Sequence, residues 1–189
     1  MIKLNYDKLL IDNLYYGGNQ EWYKTYLKRL SGCGPTTASN IVMYEIRKNN
    51  ISFNKNDFLR LMNSMWNYIT PGIMGVNKAD MYIKGFNKYI ENHDINLNNY
   101  KHYHFDKNNI NKDELYNFLK TALEDDHPIA FLNLDNGNEY LLEAWHWVMI
   151  VGIDKDLKTT ICDNGYLKEI DLNLWIDTTN SYGDFIYYY

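Results

Sequence analysis

The hydrophobic pattern divides the chain into a helical first part and a strand-rich last third. Apolar residues at helical spacing predict helices, whereas runs rich in β-branched or aromatic residues, or alternating with polar ones, predict strands. The predicted helices are residues 22–30, about 35–48, 56–68, 78–90 and 111–124. The predicted strands are residues 100–105, 128–134, 147–153, 159–162, 166–172 and 185–189.

Turn signals between these segments set the expected order of the fold. Residues 1–20 read as irregular, Pro35 lies near the first turn of the second helix, and Thr36 and Thr37 are possible caps. That helix is expected to fade at residues 48–50. Asn164-Gly165 is the strongest hairpin signal. Helices that precede an antiparallel sheet predict an α+β fold. We expect one domain, residues 1–189, with a helical lobe at about 1–99 and a β-rich lobe at about 100–189.

Composition narrows the function classes. The chain has 189 residues, 46% of them hydrophobic and 23% charged, with a formal net charge of −5. Because no basic face is present, a nucleic-acid partner is not expected. The sequence has no run of apolar residues long enough to cross a membrane, and charges interrupt the first fourteen residues, so neither a membrane partner nor a signal peptide is expected. A cytoplasmic protein is therefore predicted.

The two cysteines, Cys33 and Cys162, are too few for a disulfide framework. Cys33 lies immediately before a predicted helix, whose partial positive charge would favour a thiolate. The glycines at positions 32 and 34 would allow the backbone to approach a substrate closely. The N–H of Cys33 would then point into the same space as its sulfur and supply one oxyanion donor. Cys33 is thus a candidate nucleophile.

A thiolate nucleophile needs a histidine, and a third group must orient that histidine. His146 opens a buried strand, so it can face a cleft while the strand fixes its position. Asp163 ends the next strand, and pairing of the two strands would bring His146 and Asp163 together. Asp163 is therefore preferred as the orienting acid, with Asn164 as the alternative. Cys162 precedes Asp163 on a strand, so it points to the opposite face and is expected in the core.

Two segments resemble those of a known family. Residues 32–38, Gly-Cys-Gly-Pro-Thr-Thr-Ala, resemble the cysteine motif of papain-like peptidases, and residues 146–154 resemble the histidine motif. The similarity is closest to the bacteriocin-processing, double-glycine-cleaving branch, the peptidase C39-like proteins. Asp163 falls where that family places its third residue. The resemblance implies a papain-like fold and hydrolysis of a peptide-type bond, with no cofactor or metal.

The chain lacks a glutamine at the position where the family usually has one. A glutamine usually stands a few residues before the cysteine as the second oxyanion donor, but the residue six before Cys33 is Leu27. The nearest glutamine is Gln20. If residues 22–30 form an inserted helix, Gln20 keeps its place, and Asn19 is the alternative donor.

Other residues admit simpler interpretations. His102 and His104 lie on one face of a strand at a spacing typical of metal ligands, but no carboxylate or thiol is obviously placed to join them, so a solvated or packed face is expected. A zinc site formed by Cys33, Cys162, His146 and Asp163 is disfavoured, because Cys162 points away. Trp145 and Trp147 either wall the cleft or pack the core. Residues 71–75 form either a substrate-contacting loop or a plain connection.

The sequence therefore predicts a cysteine hydrolase that forms an acyl-enzyme on Cys33, with His146, Asp163 and Gln20 assisting. Its expected partner is a peptide or acyl substrate. Two alternatives remain: an acyltransferase with the same triad, and a non-catalytic papain-like module that binds a peptide. The sequence carries no attached transporter, which argues against a role inside a bacteriocin exporter.

Overall fold

Helices pack on one large antiparallel sheet in the computed structural model, which describes residues 1–48 and 51–189. The α-helices of the described residues are α1 Tyr26–Ser31, α2 Cys33–Arg47, α3 Lys55–Trp66, α4 Ala79–Asn92, α5 Lys112–Glu124 and α6 Leu172–Thr178. The strands are β1 Ile2–Lys3, β2 Leu10–Ile11, β3 Tyr15–Tyr16, β4 Tyr100–Phe105, β5 Ile129–Asn133, β6 His146–Ile153, β7 Lys158–Asp163, β8 Tyr166–Asp171 and β9 Gly183–Tyr188. The α+β prediction is confirmed.

The sheet runs in the order β4-β9-β5-β6-β7-β8, and β1 pairs with the far end of β6. All of these pairings are antiparallel. Two central strands, β5 and β6, are buried along their whole length. Their continuous apolar character follows from helices on both sides, since α2 and α5 both contact β6. A second, two-stranded sheet joins β2 to β3.

Most predicted elements are present with shifted ends, and the shifts follow local capping. The Asn54 side chain accepts a hydrogen bond from the N–H of Asp57, so α3 begins at Lys55 rather than at residues 56 or 57. Asn111 caps α5 in the same way. The expected caps Thr36 and Thr37 are wrong. Gly32 is the N-cap of α2, without a side-chain cap bond. The predicted fade of this helix falls partly on residues 49–50, which lie outside the described residues.

The predicted helix over residues 22–30 is present only from Tyr26 onward. A short 3-10 turn, Gln20–Trp22, is followed by α1, which begins only after the Thr25 side chain caps it by accepting from the N–H of Lys28. No residue of α1 is buried, so its apolar positions do not face the core. Helix α6 and the strands β1–β3 were not predicted, because segments of two to seven residues carry too little periodicity.

Trp147 fixes the beginning of β6 against the helices. Its indole stacks on the ring of Tyr82 in α4 at 4.4 Å between centroids, and its Nε1 donates to the carbonyl of Val76 at 2.6 Å. The carbonyl of Trp147 accepts from Thr37 Oγ1 of α2 at 3.1 Å. Because all of these groups are buried, their hydrogen bonds are costly to break. The residue before Trp147, His146, is thereby held relative to α2.

None of the described helices is both long and apolar enough to span a bilayer.

Close packing of α4 can be tested at Gly85. A Cβ there would lie 2.5 Å from the carbonyl oxygen of Tyr68. Gly85→Ala should therefore lower the free energy of unfolding by about 1–3 kcal/mol, although alanine is the better helix former. Lys84→Ala, at an exposed position of the same helix, should stay within about 0.5 kcal/mol of the wild type. Urea unfolding measures both, and a Gly85→Ala protein as stable as the wild type would contradict the contact.

Candidate active site

Cys33 is the first residue of α2 and lies on the wall between two cavities. One is a narrow space of about 10 Å³ that it shares with Gln20, His146 and Asp163. The other is an open, mainly apolar cleft of about 400 Å³. Pro35, two residues on, is tolerated because the first N–H groups of a helix have no intrahelical acceptor. The helix therefore directs its partial positive end toward the cysteine.

The glycines on either side of Cys33 are required by close packing. Both are buried. A Cβ on Gly32 would lie 2.6 Å from the ring of Tyr23, and one on Gly34 would lie 3.1 Å from Val76. Gly34 packs closely against a loop that carries Val76, and Gly32 leaves room for the buried ring of Tyr23. The backbone before and after Cys33 is therefore fixed by packing against these two side chains.

The structure brings His146 and Asp163 into contact. His146 Nε2 lies 2.8 Å from Asp163 Oδ1, and both side chains are almost fully buried. Since Nε2 is engaged by the carboxylate, Nδ1 is the ring nitrogen left for Cys33, which lines the same narrow space as the imidazole. The β6–β7 pairing that sets Met149 opposite Cys162 produces this approach at the ends of the two strands. The carboxylate thus fixes the tautomer and the orientation of the ring.

Lys168 holds the second oxygen of Asp163. Its Nζ lies 2.6 Å from Asp163 Oδ2. Lys168 was not among the predicted site residues, although the hairpin turn in the sequence indicates its position. The Asn164-Gly165 turn, with both residues at positive φ, pairs Asp163 with Tyr166. Two residues further along the same face of β8, position 168 is the diagonal neighbour of Asp163. With one oxygen on His146 and the other on Lys168, the carboxylate cannot turn freely.

These contacts favour the charged pair of thiolate and imidazolium. Burial by itself raises the pKa of Cys33, but the hydrogen bond and charge of His146, with the N–H groups of Trp147 and Gly34, bring that pKa below the ordinary thiol value. Burial lowers the pKa of His146, but Asp163 and Cys33 outweigh it and raise this pKa. Burial raises the pKa of Asp163, but His146 and Lys168 outweigh burial and lower this pKa below its ordinary value. The acid therefore stays ionised.

Gln20 lies beside Cys33 although thirteen residues separate the two in sequence. It lines the narrow space with Cys33 and His146, and its Oε1 is buried without a hydrogen-bond partner. Residues 21–32, including α1, connect the two. Asn19, the alternative donor, is occupied: its Oδ1 accepts from the N–H of Glu21 and its Nδ2 donates to the carbonyl of Asn164. Of the two, Gln20 has the position suited to an oxyanion donor.

The second thiol, Cys162, also lines the narrow space, but its hydrogen bond leads away from His146. Cys162 is buried, and its Sγ donates to the carbonyl of Tyr16 at 2.8 Å. Burial and the charge of Asp163 raise the pKa of Cys162. Its predicted place in the core is confirmed. Asn164, the alternative orienting residue, forms the hairpin turn, whereas Asp163 makes the contact with His146.

The open cleft beside Cys33 has apolar walls. Five of its lining side chains are large, apolar and at least half exposed: Leu27, Leu30, Ile73, Met74 and Trp145. The loop after α3, which the sequence left as either a substrate-contacting segment or a plain connection, forms one wall. Of the two roles that the sequence left open for the tryptophans, Trp145 lines the cleft and Trp147 packs in the core.

A larger cavity of about 520 Å³ lies between α4 and residues 94–100, and neither cysteine nor histidine lines it.

The expectation that no acidic group joins His102 and His104 is wrong. Asp184 of β9 lies 2.8 Å from a ring nitrogen of each. The missing information was the pairing of β4 with β9, two strands that lie far apart in sequence and whose register no local signal specifies.

The chain matches a known protein family. The family model described as the Peptidase_C39 like family matches residues 17–185, which include every residue of the candidate active site. No curated protein matches the chain.

The ion pair predicts the reactivity of Cys33. At pH 6 an ordinary thiol with a pKa of about 8.5 is only about 0.3% thiolate, so iodoacetamide should modify Cys33 about a hundredfold faster than it modifies an ordinary thiol. His146→Ala should remove most of this advantage. The rate is read by mass spectrometry of the intact protein.

Cys33→Ala is the matched control, since it leaves Cys162, which should stay unmodified on the same timescale. Equal rates for the wild type and His146→Ala would contradict the ion pair.

Proposed function

The chain belongs to the peptidase C39-like family, and from this premise we propose that it is a cysteine peptidase that cleaves a peptide or related amide or thioester bond through an acyl-enzyme on Cys33. The observation that carries the proposal is the contact of His146 Nε2 with Asp163, which leaves the other ring nitrogen for the cysteine. The lowered pKa of the thiol beside it is the second support.

Acylation begins with attack of the Cys33 thiolate on the substrate carbonyl carbon. The new S–C bond moves the carbonyl electrons onto oxygen, and the resulting oxyanion lies at the N-terminus of α2. The N–H of Cys33 and the side-chain amide of Gln20 are the proposed donors. His146 then gives its proton from Nδ1 to the leaving nitrogen or sulfur as the bond to carbon breaks. The acyl group remains on Cys33 as a thioester.

Deacylation reverses the roles of these groups. Neutral His146 takes a proton from water, the hydroxide attacks the thioester carbon, and the S–C bond breaks to release a carboxylic acid. The thiolate and the imidazolium are regenerated together. Asp163 stays ionised throughout and stabilises the imidazolium in both steps, with Lys168 holding the carboxylate in place.

The apolar cleft supports a preference for substrates with large apolar side chains near the scissile bond. It adjoins Cys33 and exposes Leu30, Met74 and Trp145. Burial of such side chains contributes about 1.5–3 kcal/mol each to binding. A cleft of this kind favours an extended apolar segment over a charged one.

Substitution of Gln20 distinguishes an enzyme that turns over substrate from a module that only binds a peptide. Removal of one oxyanion donor should reduce kcat/KM by about 10²–10³-fold in Gln20→Ala, because the interaction develops mainly in the transition state. Alkylation of Cys33 at pH 6 should stay close to the wild-type rate. A library of fluorogenic peptides with apolar residues before the scissile bond supplies the substrate.

Glu21→Gln, at the exposed neighbouring position, is the matched control and should keep full activity. The wild type treated with thioester or activated ester probes should show an acyl adduct that Cys33→Ala lacks. If the wild type forms no adduct with any probe, the peptidase proposal fails and the binding module is favoured. Release of the acyl group to an added amine faster than to water would favour the acyltransferase.

The cleft predicts a change in specificity. Leu30→Glu places a charge on the apolar wall. It should lower kcat/KM for apolar peptides about tenfold or more, since a bound apolar side chain would cover this charge and leave it unpaired. Iodoacetamide, which does not use the cleft, should modify Cys33 at an unchanged rate. Tyr140→Glu, at a similarly exposed apolar residue outside the cleft, should leave the activity unaltered. Equal losses in the two variants would contradict the assignment of the cleft.

A further inference from the structure

Two histidines and an aspartate meet at the edge of the large sheet. His102 and His104 are two residues apart on β4, so their side chains share a face. Asp184 of β9 is the direct cross-strand partner of His104, and Ile186 is that of His102. The carboxylate is therefore opposite one histidine and diagonal to the other. Strand β5 lies between β9, which carries Asp184, and β6, which carries His146.

The three side chains converge on a single point. His102 Nε2 and His104 Nδ1 each lie 2.8 Å from Asp184 Oδ1. One ligand atom from each residue lies within 4.8 Å of those of the other two. The side chain of Asp184 is 3% exposed, whereas those of His102 and His104 are 27% and 52% exposed. The group is thus anchored in the protein and open on its outer side.

The charge of Asp184 is poorly balanced by its surroundings. Among residues 1–48 and 51–189, neither lysine nor arginine forms an ion pair with this carboxylate, and its side-chain hydrogen bonds come from the two imidazoles. A buried carboxylate is costly unless a positive charge is close. A divalent cation would supply that charge.

We propose that His102, His104 and Asp184 bind a divalent transition-metal cation, and that Zn²⁺ is the ion their chemistry suits best. Two imidazole nitrogens and one carboxylate oxygen are ligands that Zn²⁺ accepts, and a fourth position would face solvent. Bonds of about 2.0–2.1 Å in tetrahedral geometry separate ligand atoms by about 3.3 Å, so the distance from each ring nitrogen to the carboxylate oxygen needs to widen by about half an ångström. The proton on each coordinating nitrogen moves to the other nitrogen of its ring.

The bound ion would clamp β4 to the sheet. β4 is an edge strand that pairs only with β9 in the described part of the chain, and five of its six residues are exposed or half-buried. A metal that joins two residues of β4 to one of β9 adds a cross-link and stabilises the folded state by mass action. This inference does not depend on the proposed peptidase activity.

The test uses zinc binding in a Cys33→Ala background, which removes the thiol as a competing ligand. After treatment with a chelator and dialysis, Zn²⁺ titration with a competing chromophoric chelator should give one equivalent bound per chain. His102→Gln and His104→Gln should each weaken binding about tenfold or more. Zn²⁺ should also raise Tm in the Cys33→Ala protein, but not when His104→Gln is added.

His93→Gln is the matched control, because His93 is an exposed histidine outside the group. It should bind Zn²⁺ as the parent protein does. His104 is half exposed, so its substitution is compatible with folding, and circular dichroism checks this. Absence of stoichiometric binding, or equal weakening by His93→Gln and His104→Gln, would overturn the site. In that case the three residues form only a hydrogen-bonded cluster.

Discussion

The antiparallel pairing of β6 with β7 is the constraint on which the candidate site depends. It brings the first residue of one strand and the last residue of the other to the same end of the sheet, where His146 meets Asp163 at 2.8 Å. A shift of one residue in this register would turn Asp163 to the opposite face and Cys162 toward the histidine. Burial of both strands between helical layers makes such a shift costly. The register of a buried sheet therefore sets the chemistry of the imidazole.

Charges of alternating sign stabilise this buried site. Lys168, Asp163, His146 and Cys33 follow one another, each in contact with the next, and the lysine is the most exposed of the four. Each charge loses hydration on burial, and its neighbour of opposite sign offsets the loss. The removal of any inner member would leave a buried charge without its partner.

The sequence was informative wherever a signal is local. The strand at residues 100–105 and the hairpin at Asn164-Gly165 follow from alternation and from a turn that requires positive φ. The helix that starts at Lys112 follows from its asparagine cap. Local signals failed for residues 22–30, where apolar side chains form the wall of a cleft instead of facing the core. Periodicity reports an apolar face, but it cannot tell which surface that face contacts.

Cys33 at a helix start, His146 at the mouth of a buried strand and Asp163 one strand later were determined by the sequence alone, because each depends on residues adjacent in the chain. The tertiary structure decided the contacts that join residues distant in sequence. It placed Gln20 beside Cys33 although α1 lies between them in sequence, set Lys168 against Asp163, and joined Asp184 to two histidines 82 and 80 residues earlier. Loop paths and the register of long-range strand pairs result from the packing of the whole chain, and no single segment encodes them.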